Sequence, residues 1–240
     1  MYIVLQTSGY QKNNRILAAL PQADLDQFFS GLELVSLPMR QILCQVDAPL
    51  EEVYFIEGGV ASVLTTMANG ASIEVGMIGM EGIVGLPALF GEEISDQQII
   101  VQVPGTALRM DARLCKAAFE GSPAVRRAAL RFTQSLLNLS AQTAACNRLH
   151  TSEQRFARWL LMAYARIESD VMPMTHEFLS TMIGVRRAGV TEVAEKLRSS
   201  GLIRYHHGEI TILDRDALVA SACECYGIDQ RRLQRLLRRG

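Results

Sequence analysis

Apolar residues recur at helical spacing in two short consecutive segments, 175–183 and 186–197, and Gly184 separates the two. This pattern predicts two helices joined by a tight turn. The next segment, 202–213, has two β-rich runs around a His-His-Gly turn, which predicts a hairpin or "wing". The second helix of such a unit has the width of the DNA major groove. The sequence therefore predicts a winged helix-turn-helix that binds duplex DNA.

Residues 34–110 show a different pattern, in which short β-branched runs alternate with turn residues. The predicted strands are Val53–Ile56, Val60–Thr66, Ser72–Met77 and Gln98–Val103. Turns are predicted at Gly58–Gly59, Asn69–Gly70 and Gly91. Regular short strands with turn signals between them predict an all-β roll or barrel.

After Ser122 the pattern becomes helical, with alternating spacings of three and four along one face. The residues on this face include Ala129, Phe132, Leu136, Leu139, Thr143 and Cys146. This is the a/d pattern of a coiled coil. We interpret it as a homodimer interface, because a protein that binds palindromic DNA needs two recognition helices about 34 Å apart. The alternative is a helix that packs this face on the core of its own chain.

The net charge of −1 conceals an asymmetry along the 240 residues. Residues 41–108 contain nine acids and no Lys or Arg, whereas residues 151–240 contain 14 Lys and Arg against 11 Asp and Glu. Phosphate is repelled by the first part and attracted to the second. Five arginines lie in the last ten residues, where they either assist DNA binding or only solubilise the terminus.

The sequence shows no export signal and no membrane span, because its longest uncharged stretches are interrupted by polar residues. Five scattered cysteines are typical of reduced thiols. We therefore expect a cytoplasmic protein without a membrane partner. The sequence also lacks a phosphate-binding loop, a nucleophile elbow and an HExxH motif, so we expect no enzyme.

The order of roll, long helix and winged helix-turn-helix resembles the Crp/Fnr family of bacterial transcription regulators over nearly the whole chain. The resemblance rests on that helix-turn-helix and on the segments VYFIEGGVAS, EGIVGLPALFG and SEQRFARWLLMA. It implies an α+β fold with a cyclic-nucleotide-binding-like jelly roll (residues 1–122), a dimerisation helix (123–150) and a winged helix DNA-binding domain (151–240). The partners it implies are a palindromic operator, a second copy of the chain, RNA polymerase and a small-molecule effector.

The resemblance also assigns positions on the recognition helix. Those that would face base edges are Arg186, Arg187, Ala188, Thr191 and Glu192. Arg187 is our candidate for a bidentate contact to guanine, worth about 1–3 kcal/mol of discrimination. The cyclic-AMP receptor type has an additional Glu and a second Arg here, so we expect a different operator.

The other candidate DNA contacts are polar or permit close approach. Gly189 inside the helix costs about 1 kcal/mol relative to Ala, which indicates close approach to the DNA backbone. Thr191 could contact a thymine methyl group or a phosphate, whereas Glu192 could accept from cytosine, orient Arg187 or simply be solvated. The candidate phosphate contacts are Thr175, His176, His206 and His207.

The roll departs from family members that bind cyclic AMP. Those members have a Glu after the loop glycine and an Arg-Ser pair further on, where this chain has Leu86 and Ser95-Asp96-Gln97-Gln98. A buried phosphate without a cation is costly. We therefore expect an effector other than cyclic AMP in that pose, or none, unless Arg131 or Arg148 reaches inward. The candidate pocket residues are Gly85, Leu86, Ser95, Gln97 and Ser140.

The cysteines match no common metal motif. Cys223-x-Cys225 has no standard zinc spacing, even with His206 and His207 nearby in sequence. The chain also lacks the N-terminal cysteines of family members that sense oxygen through an iron–sulfur cluster. We predict no metal site and identify no cofactor. Redox sensing by Cys223 and Cys225, and haem ligation by Cys146 and His150, are the alternatives.

These observations predict a dimeric, sequence-specific DNA-binding transcription regulator. The alternative is an effector-sensing module whose C-terminal domain contacts a protein partner rather than DNA.

Overall fold

The computed structural model describes residues 13–29, 31–167, 169 and 171–238. Two helices come first, α1 (Arg15–Ala18) and α2 (Gln22–Phe29). Asn14 caps α1 and is fully buried, and its side-chain amide donates to the carbonyls of Ile56 and Gly82, both at 3.0 Å. This residue therefore fixes the first helix to the sheet that follows.

An antiparallel sheet of six strands occupies residues 33–111 of the described chain. Its strands are β1 (Glu33–Leu37), β2 (Ile42–Cys44), β3 (Glu52–Thr66), β4 (Ser72–Ile78), β5 (Ile83–Val84) and β6 (Gln98–Asp111). The main path is β1-β6-β3-β4, while β2 pairs with β6 and β5 pairs with β3. This sheet, here called the roll, confirms the predicted α+β fold with an N-terminal β-roll.

β3 is one long strand, whereas the sequence predicted two strands separated by a turn at Gly58–Gly59. Gly59 has a φ of +84°, and the pairing of β3 with β6 shifts register at these glycines. A Cβ at Gly59 would lie 2.5 Å from the carbonyl oxygen of Val103, so glycine is required for the strands to approach here. The glycine pair therefore forms a bulge rather than a turn.

Two helices follow the roll, α3 (Ala112–Gly121) and the 27-residue α4 (Pro123–Leu149). Ser122 caps α4, and Pro123 occupies its first position, where a missing N–H costs nothing. Ala129 and Phe132 on α4 are only 1% and 2% exposed, because they are part of the core of the roll.

The apolar face of α4 is not the predicted dimer interface. That prediction is wrong for Ala129, Phe132, Leu136, Leu139, Thr143 and Cys146, because this face packs on the protein's own chain. Thr143, for example, accepts a hydrogen bond at 3.2 Å from Arg158 of the next helix. A helix on its own core and a short coiled coil share the same spacing, so periodicity alone did not distinguish them.

A second face of α4, on its far side, is exposed and carries apolar residues. Leu130 and Leu137 are 48% and 62% exposed, seven residues apart. The exposed positions Gln134, Ala141 and Ala144 extend the face with alternating spacings of four and three. We call Leu130, Gln134, Leu137, Ala141 and Ala144 the outer stripe of α4. It has the a/d spacing of a coiled coil.

The C-terminal elements are mainly helical, with one small sheet in the order β7-β9-β8. They are α5 (Ser152–Tyr164), β7 (Val171–Pro173), α6 (His176–Ile183), α7 (Arg187–Ser199), β8 (Ile203–His206), β9 (Glu209–Ile212), α8 (Arg215–Ser221) and α9 (Cys225–Arg238). None of the helices in the described ranges has the length and apolar character needed to cross a bilayer.

The C-terminal helices bury their apolar faces partly against the roll. Val60, Leu64, Met77 and Val103 of the roll belong to the same buried cluster as the apolar side chains of α5, α6 and α7. We call this cluster the shared core. The roll and the C-terminal elements are therefore packed against each other and not only linked by α4.

Two buried polar contacts also join the roll to α5 and the turn after it. Arg166 Nε donates to Glu81 Oε1 at 2.6 Å, and both side chains are less than a tenth exposed. Trp159 Nε1 donates to Glu74 Oε1 at 3.0 Å. Burial raises the pKa of Glu74 to about 7, although the charges of Arg158 and Arg166 act in the opposite direction.

The arginine-rich C-terminal helix α9 packs along α4. Arg232 Nη1 donates to the carbonyl of Asn138 at 3.1 Å and to Gln142 Oε1 at 3.2 Å. Arg131 of α4 donates in return to the carbonyl of Leu236 at 2.9 Å. Arg232 therefore holds two helices together, a role that neither interpretation of the basic terminus anticipated.

Candidate nucleic-acid interface

The helices α6 and α7 meet at a glycine turn. Gly184 has a φ of +61°, and its N–H donates to the carbonyl of Ser180. This backbone conformation favours glycine, and a Cβ at Gly184 would displace the end of the Ile73 side chain of the roll. The structure therefore confirms the predicted helix-turn-helix and shows that its turn rests on β4.

One face of α7 is buried in the shared core, and the other is exposed. The buried residues are Val190, Val193, Ala194 and Leu197. The predicted base-contacting residues, all exposed, are Arg186, Arg187, Ala188, Thr191 and Glu192. The predicted reading face of the helix is therefore directed towards solvent.

Gly189 lies between these two faces and is partly buried. A Cβ there would meet the side chain of Val185 at 3.7 Å, which is an ordinary van der Waals contact. Within the described part of the chain, packing therefore does not explain a glycine in the middle of α7.

The N-terminus of α7 differs from that of α6. Thr175 caps α6, since its Oγ1 accepts a hydrogen bond from the N–H of Phe178 at 3.3 Å. The N-cap of α7 is Arg186, and no side chain among the described residues caps that helix. Its first-turn N–H groups therefore remain available to an anion. The helix dipole and the charges of Arg186 and Arg187 reinforce this attraction.

Two side chains on the reading face have partners within α7. Thr191 Oγ1 donates to the carbonyl of Arg187 at 3.3 Å, and Glu192 forms an exposed ion pair with Lys196 at 3.4 Å. Lys196 was not among the predicted site residues, although its spacing of four residues from Glu192 is the signal for such a pair. An exposed pair of this kind contributes less than about 1 kcal/mol, so it leaves Glu192 available to exchange partners.

The wing has the predicted hairpin structure. β8 pairs with β9, and the turn residues His207 and Gly208 have φ values of +49° and +78°, typical of a type I′ turn. The imidazoles of His206 and His207 are exposed, with ring centroids 3.9 Å apart. Burial raises the pKa of Tyr205 on β8, and the nearby charge of Arg187 opposes this rise. Since Arg187 is close enough to act on Tyr205, the wing lies beside the start of α7.

Thr175 is better explained as a structural residue than as a phosphate contact. In addition to capping α6, its hydroxyl accepts a hydrogen bond at 3.4 Å from Arg40 Nη2 of the roll. His176 begins α6, but its side chain lies outside the described structure. Arg40, exposed and 135 residues away in sequence, is a cation beside the helix-turn-helix that the sequence analysis missed. Only the tertiary fold brings it there.

The candidate effector-pocket residues belong to three segments of the chain. Gly85 and Leu86 are buried at the start of a short 3₁₀ helix, and Ser95 Oγ donates to the carbonyl of Gln97 at 2.7 Å. Ser140 is partly buried on α4. An effector pocket that includes these five residues therefore stays a prediction.

Three arginines that could pair with a phosphate in the roll have other partners or lie at the end of a helix. Arg131 donates to the C-terminal helix, as described above, and Arg148 is exposed at the end of α4. Arg109 lies at the end of β6, where it forms ion pairs with Glu33 at 2.6 Å and Glu52 at 2.7 Å. A phosphate inside the roll would therefore lack a cation among these arginines.

Two family models match the sequence. The cyclic nucleotide-binding domain matches residues 34–121, and the Crp-like helix-turn-helix domain matches residues 154–221. The matches cover the roll with α3 and the region from α5 to α8, so together they account for about two-thirds of the chain. A comparison with curated proteins finds no match.

Solved structures with the same fold include several transcription regulators. FixK2 from Bradyrhizobium japonicum has a TM-score of 0.68 and 15% identity, over 80% of this chain and 98% of FixK2. CLP from Xanthomonas campestris, described as a c-di-GMP-responsive global regulator, has a TM-score of 0.67 and 15% identity, over 81% of this chain and 100% of CLP. A CRP/FNR-family regulator from Thermus thermophilus has a TM-score of 0.65 and 20% identity, over 79% of this chain and 98% of that regulator.

Proposed function

This chain belongs to the Crp/Fnr family of transcription regulators, and from that premise we propose that it binds a palindromic operator as a homodimer. The observation that carries the proposal is the start of α7. An uncapped helix N-terminus is flanked there by Arg186 and Arg187, and the exposed face of the helix is directed away from the shared core. Such a terminus binds phosphate, and such a face fits the major groove.

Arg187 is the residue that we assign to sequence recognition. It is the first residue of α7 and exposed, so its planar guanidinium can reach O6 and N7 of one guanine. Thr191 lies one turn further along the same face. Glu192 can exchange Lys196 for a cytosine amine or for Arg187 when DNA is bound. Arg186 binds the phosphate at the N-terminus of α7.

The wing and the middle of α7 supply further backbone contacts. His206 and His207 extend from the hairpin as exposed donors, which suits phosphate binding. Gly189 has no packing role that requires glycine, so we assign its lack of a side chain to the close approach of DNA. Arg40, beside α6, adds a cation from the roll.

The homodimer that we propose uses the outer stripe of α4. Its five exposed positions follow the coiled-coil spacing, and two of them are leucines with about half or more of their surface in solvent. Two such helices paired about a twofold axis hold two copies of α7 for successive turns of DNA. The proposed contact with the second copy therefore lies on the outer stripe, and not on the face of α4 that packs on its own chain (the inner face).

The roll is the proposed effector domain, and the effector is not cyclic AMP in the family's usual pose. Leu86 stands in place of the ribose-binding Glu, and residues 41–108 contain no Lys or Arg. An effector bound here would act through the shared core, because β3, β4 and β6 pack directly on α5, α6 and α7. Binding would then change the position of the recognition helices.

The test of this function is operator binding by the full-length protein. Operators are selected from random duplex DNA, and affinity is measured by fluorescence anisotropy at several salt concentrations. We expect saturable binding with a steep salt dependence. Arg187→Ala should weaken operator binding roughly 5- to 150-fold and relax the preference at one base pair.

The matched control is Arg198→Ala at the other end of α7. Arg198 is paired with Glu195 at 2.7 Å, and the pair is more than half exposed, so its loss should change affinity by no more than about twofold. A folded protein that selects no operator and shows no salt-dependent binding would refute the proposal. That result would favour a C-terminal domain that contacts a protein partner.

A further inference from the structure

Four side chains with metal-binding atoms meet between the end of α4 and the segment that joins α8 to α9. They are Cys146, His150, Cys223 and Cys225, and their ligand atoms all lie within 4.8 Å of one another. The Sγ atoms of Cys146 and Cys223 are 3.5 Å apart, and Cys225 Sγ is 3.7 Å from His150 Nδ1. Cys146 and Cys223 are 77 residues apart in sequence, and His150 and Cys225 are 75 residues apart. The sequence therefore shows no local metal-binding motif that contains all four residues.

These distances fit a tetrahedron around one ion. Zinc binds cysteine sulfur at about 2.3 Å and histidine nitrogen at about 2.0–2.1 Å, which places neighbouring ligand atoms about 3.5–3.8 Å apart. Since all pairs lie within 4.8 Å, no pair has to close by more than about 1 Å to reach this arrangement. An iron–sulfur cluster holds its cysteines further apart, because its iron and sulfide atoms lie between them. We propose that Cys146, His150, Cys223 and Cys225 together bind one structural zinc ion.

The contact of His150 with Glu224 is a second and independent indication of a metal. Nδ1 of His150 faces Cys225, while Nε2 lies 3.1 Å from a carboxylate oxygen of Glu224. Metal-binding histidines commonly donate their other ring N–H to a carboxylate, which fixes the tautomer and orients the ring. Glu224 stands between the two cysteines in sequence and gives His150 this partner.

The surroundings of the group suit an anionic metal complex. Three thiolates, a neutral imidazole and a divalent ion have a net charge of −1. Arg155 and Arg158 lie close enough to Cys146 to interact with its charge, and Gln142 Nε2 donates to Cys225 Sγ at 3.1 Å. The three cysteines are buried, so the site is closed, as structural zinc sites are.

A disulfide between Cys146 and Cys223 is the competing use of the same atoms. It would form one S–S bond and transfer two electrons and two protons to an external oxidant. It would also give no role to Cys225, to His150 or to the carboxylate behind it. Coordination of one ion uses all of these groups, and therefore we favour it.

The ion would connect two parts of the chain that control the position of the DNA-binding helices. Cys146 and His150 lie where α4 ends, immediately before α5, and Cys225 is the first residue of α9. Zinc would hold these two helices together at the point where the long helix leads into the C-terminal elements. Its removal should therefore lower the thermal stability of the full-length protein.

The first experiment measures the metal content of the full-length protein purified under reducing conditions without chelator. We expect about one zinc ion per chain. Cobalt added to the chelator-treated protein should give thiolate-to-cobalt charge-transfer bands and tetrahedral d–d bands, and zinc should abolish both. The cobalt measurement uses the unaltered chain, so it remains decisive if the cysteine variants fail to fold.

The second experiment uses matched variants. Cys225→Ser and His150→Asn should lose bound zinc, whereas Cys115→Ala, at a buried cysteine in α3, and His207→Asn, in the wing, should retain it. Glu224→Gln should keep the ion but weaken its affinity about 10- to 100-fold in competition with a chelator.

Several results would overturn the proposal. One is a folded, reduced protein that contains no zinc and gives no cobalt–thiolate bands. Others are iron with acid-labile sulfide, a Cys146–Cys223 disulfide as the stable form, and equal zinc loss in the folded control variants. Operator binding is measured separately, so failure of the zinc site and failure of the proposed function remain distinguishable.

Discussion

Glu74 is a carboxylic acid placed where the roll meets α5. It is 6% exposed, and Trp159 donates to one of its oxygens. Burial raises its pKa from 4.5 to about 7. The folded protein therefore keeps a proton on Glu74 between pH 4.5 and 7, whereas the unfolded chain loses it. The contribution of Glu74 to the free energy of unfolding should therefore fall as the pH rises through this interval.

We predict that Glu74→Gln removes this pH dependence. One pKa unit corresponds to about 1.4 kcal/mol. The free energy of unfolding of the variant should therefore exceed that of the native protein by about 3 kcal/mol at pH 8 and equal it near pH 4. Urea unfolding followed by the fluorescence of Trp159, the single tryptophan, measures both values. The exposed Glu93→Gln is the control and should leave the profile unchanged. Equal stability differences at both pH values would contradict this assignment.

At the scale of elements, the sequence was sufficient where one local signal determines the structure. Gly184 predicts the turn between α6 and α7, and the His-His-Gly run predicts the wing, because each position needs a positive φ that few residues adopt. The same reasoning failed at Gly58–Gly59, since a bulge and a turn use glycine in the same way. Only the pairing of β3 with β6 distinguishes them.

Features that depend on distant partners could not be predicted in this way. The inner face of α4 was assigned to a dimer because periodicity does not reveal what covers an apolar face. From the sequence, Cys146 with His150 and Cys223 with Cys225 were separate pairs, and no metal site was predicted. The fold brings the two pairs together and leaves His206 and His207 in the wing.

We predict that Leu137→Glu in the outer stripe of α4 converts the proposed dimer into a monomer. Two such carboxylates would face each other across the twofold axis, where like charges and lost apolar burial both oppose pairing. Light scattering after gel filtration measures the mass. Leu114→Glu on α3 replaces a leucine of similar exposure, 56%, and should remain dimeric. A dimer that persists in Leu137→Glu would place the interface elsewhere.

At the scale of the whole molecule, the shared core and the Glu81–Arg166 pair join the roll to the C-terminal elements, so we expect the two parts to unfold together. We predict that Glu81→Ala lowers the free energy of unfolding by about 3–5 kcal/mol, because it leaves the buried Arg166 without its counter-ion. Glu52→Ala breaks a partly exposed pair with Arg109 and should cost less than about 1 kcal/mol. Urea unfolding measures both changes.

The double variant Glu81→Met with Arg166→Met checks the cause of that loss. Replacement of both charges by apolar side chains should recover most of the stability, since no buried charge is then left alone. If the double variant is as unstable as Glu81→Ala, the loss comes from packing rather than from the unpaired guanidinium.

The shared core restricts how this regulator can be recombined with others. Val60, Leu64, Met77 and Val103 cover part of the apolar surface of the helices that carry α7. A hybrid protein in which residues 151–238 are grafted onto a foreign sensor would expose that surface, unless the foreign sensor has side chains of matching shape at these four positions. If α7 recognises the operator as proposed, its specificity can therefore be transferred more safely by exchanging the exposed residues of α7 than by exchanging the whole C-terminal half.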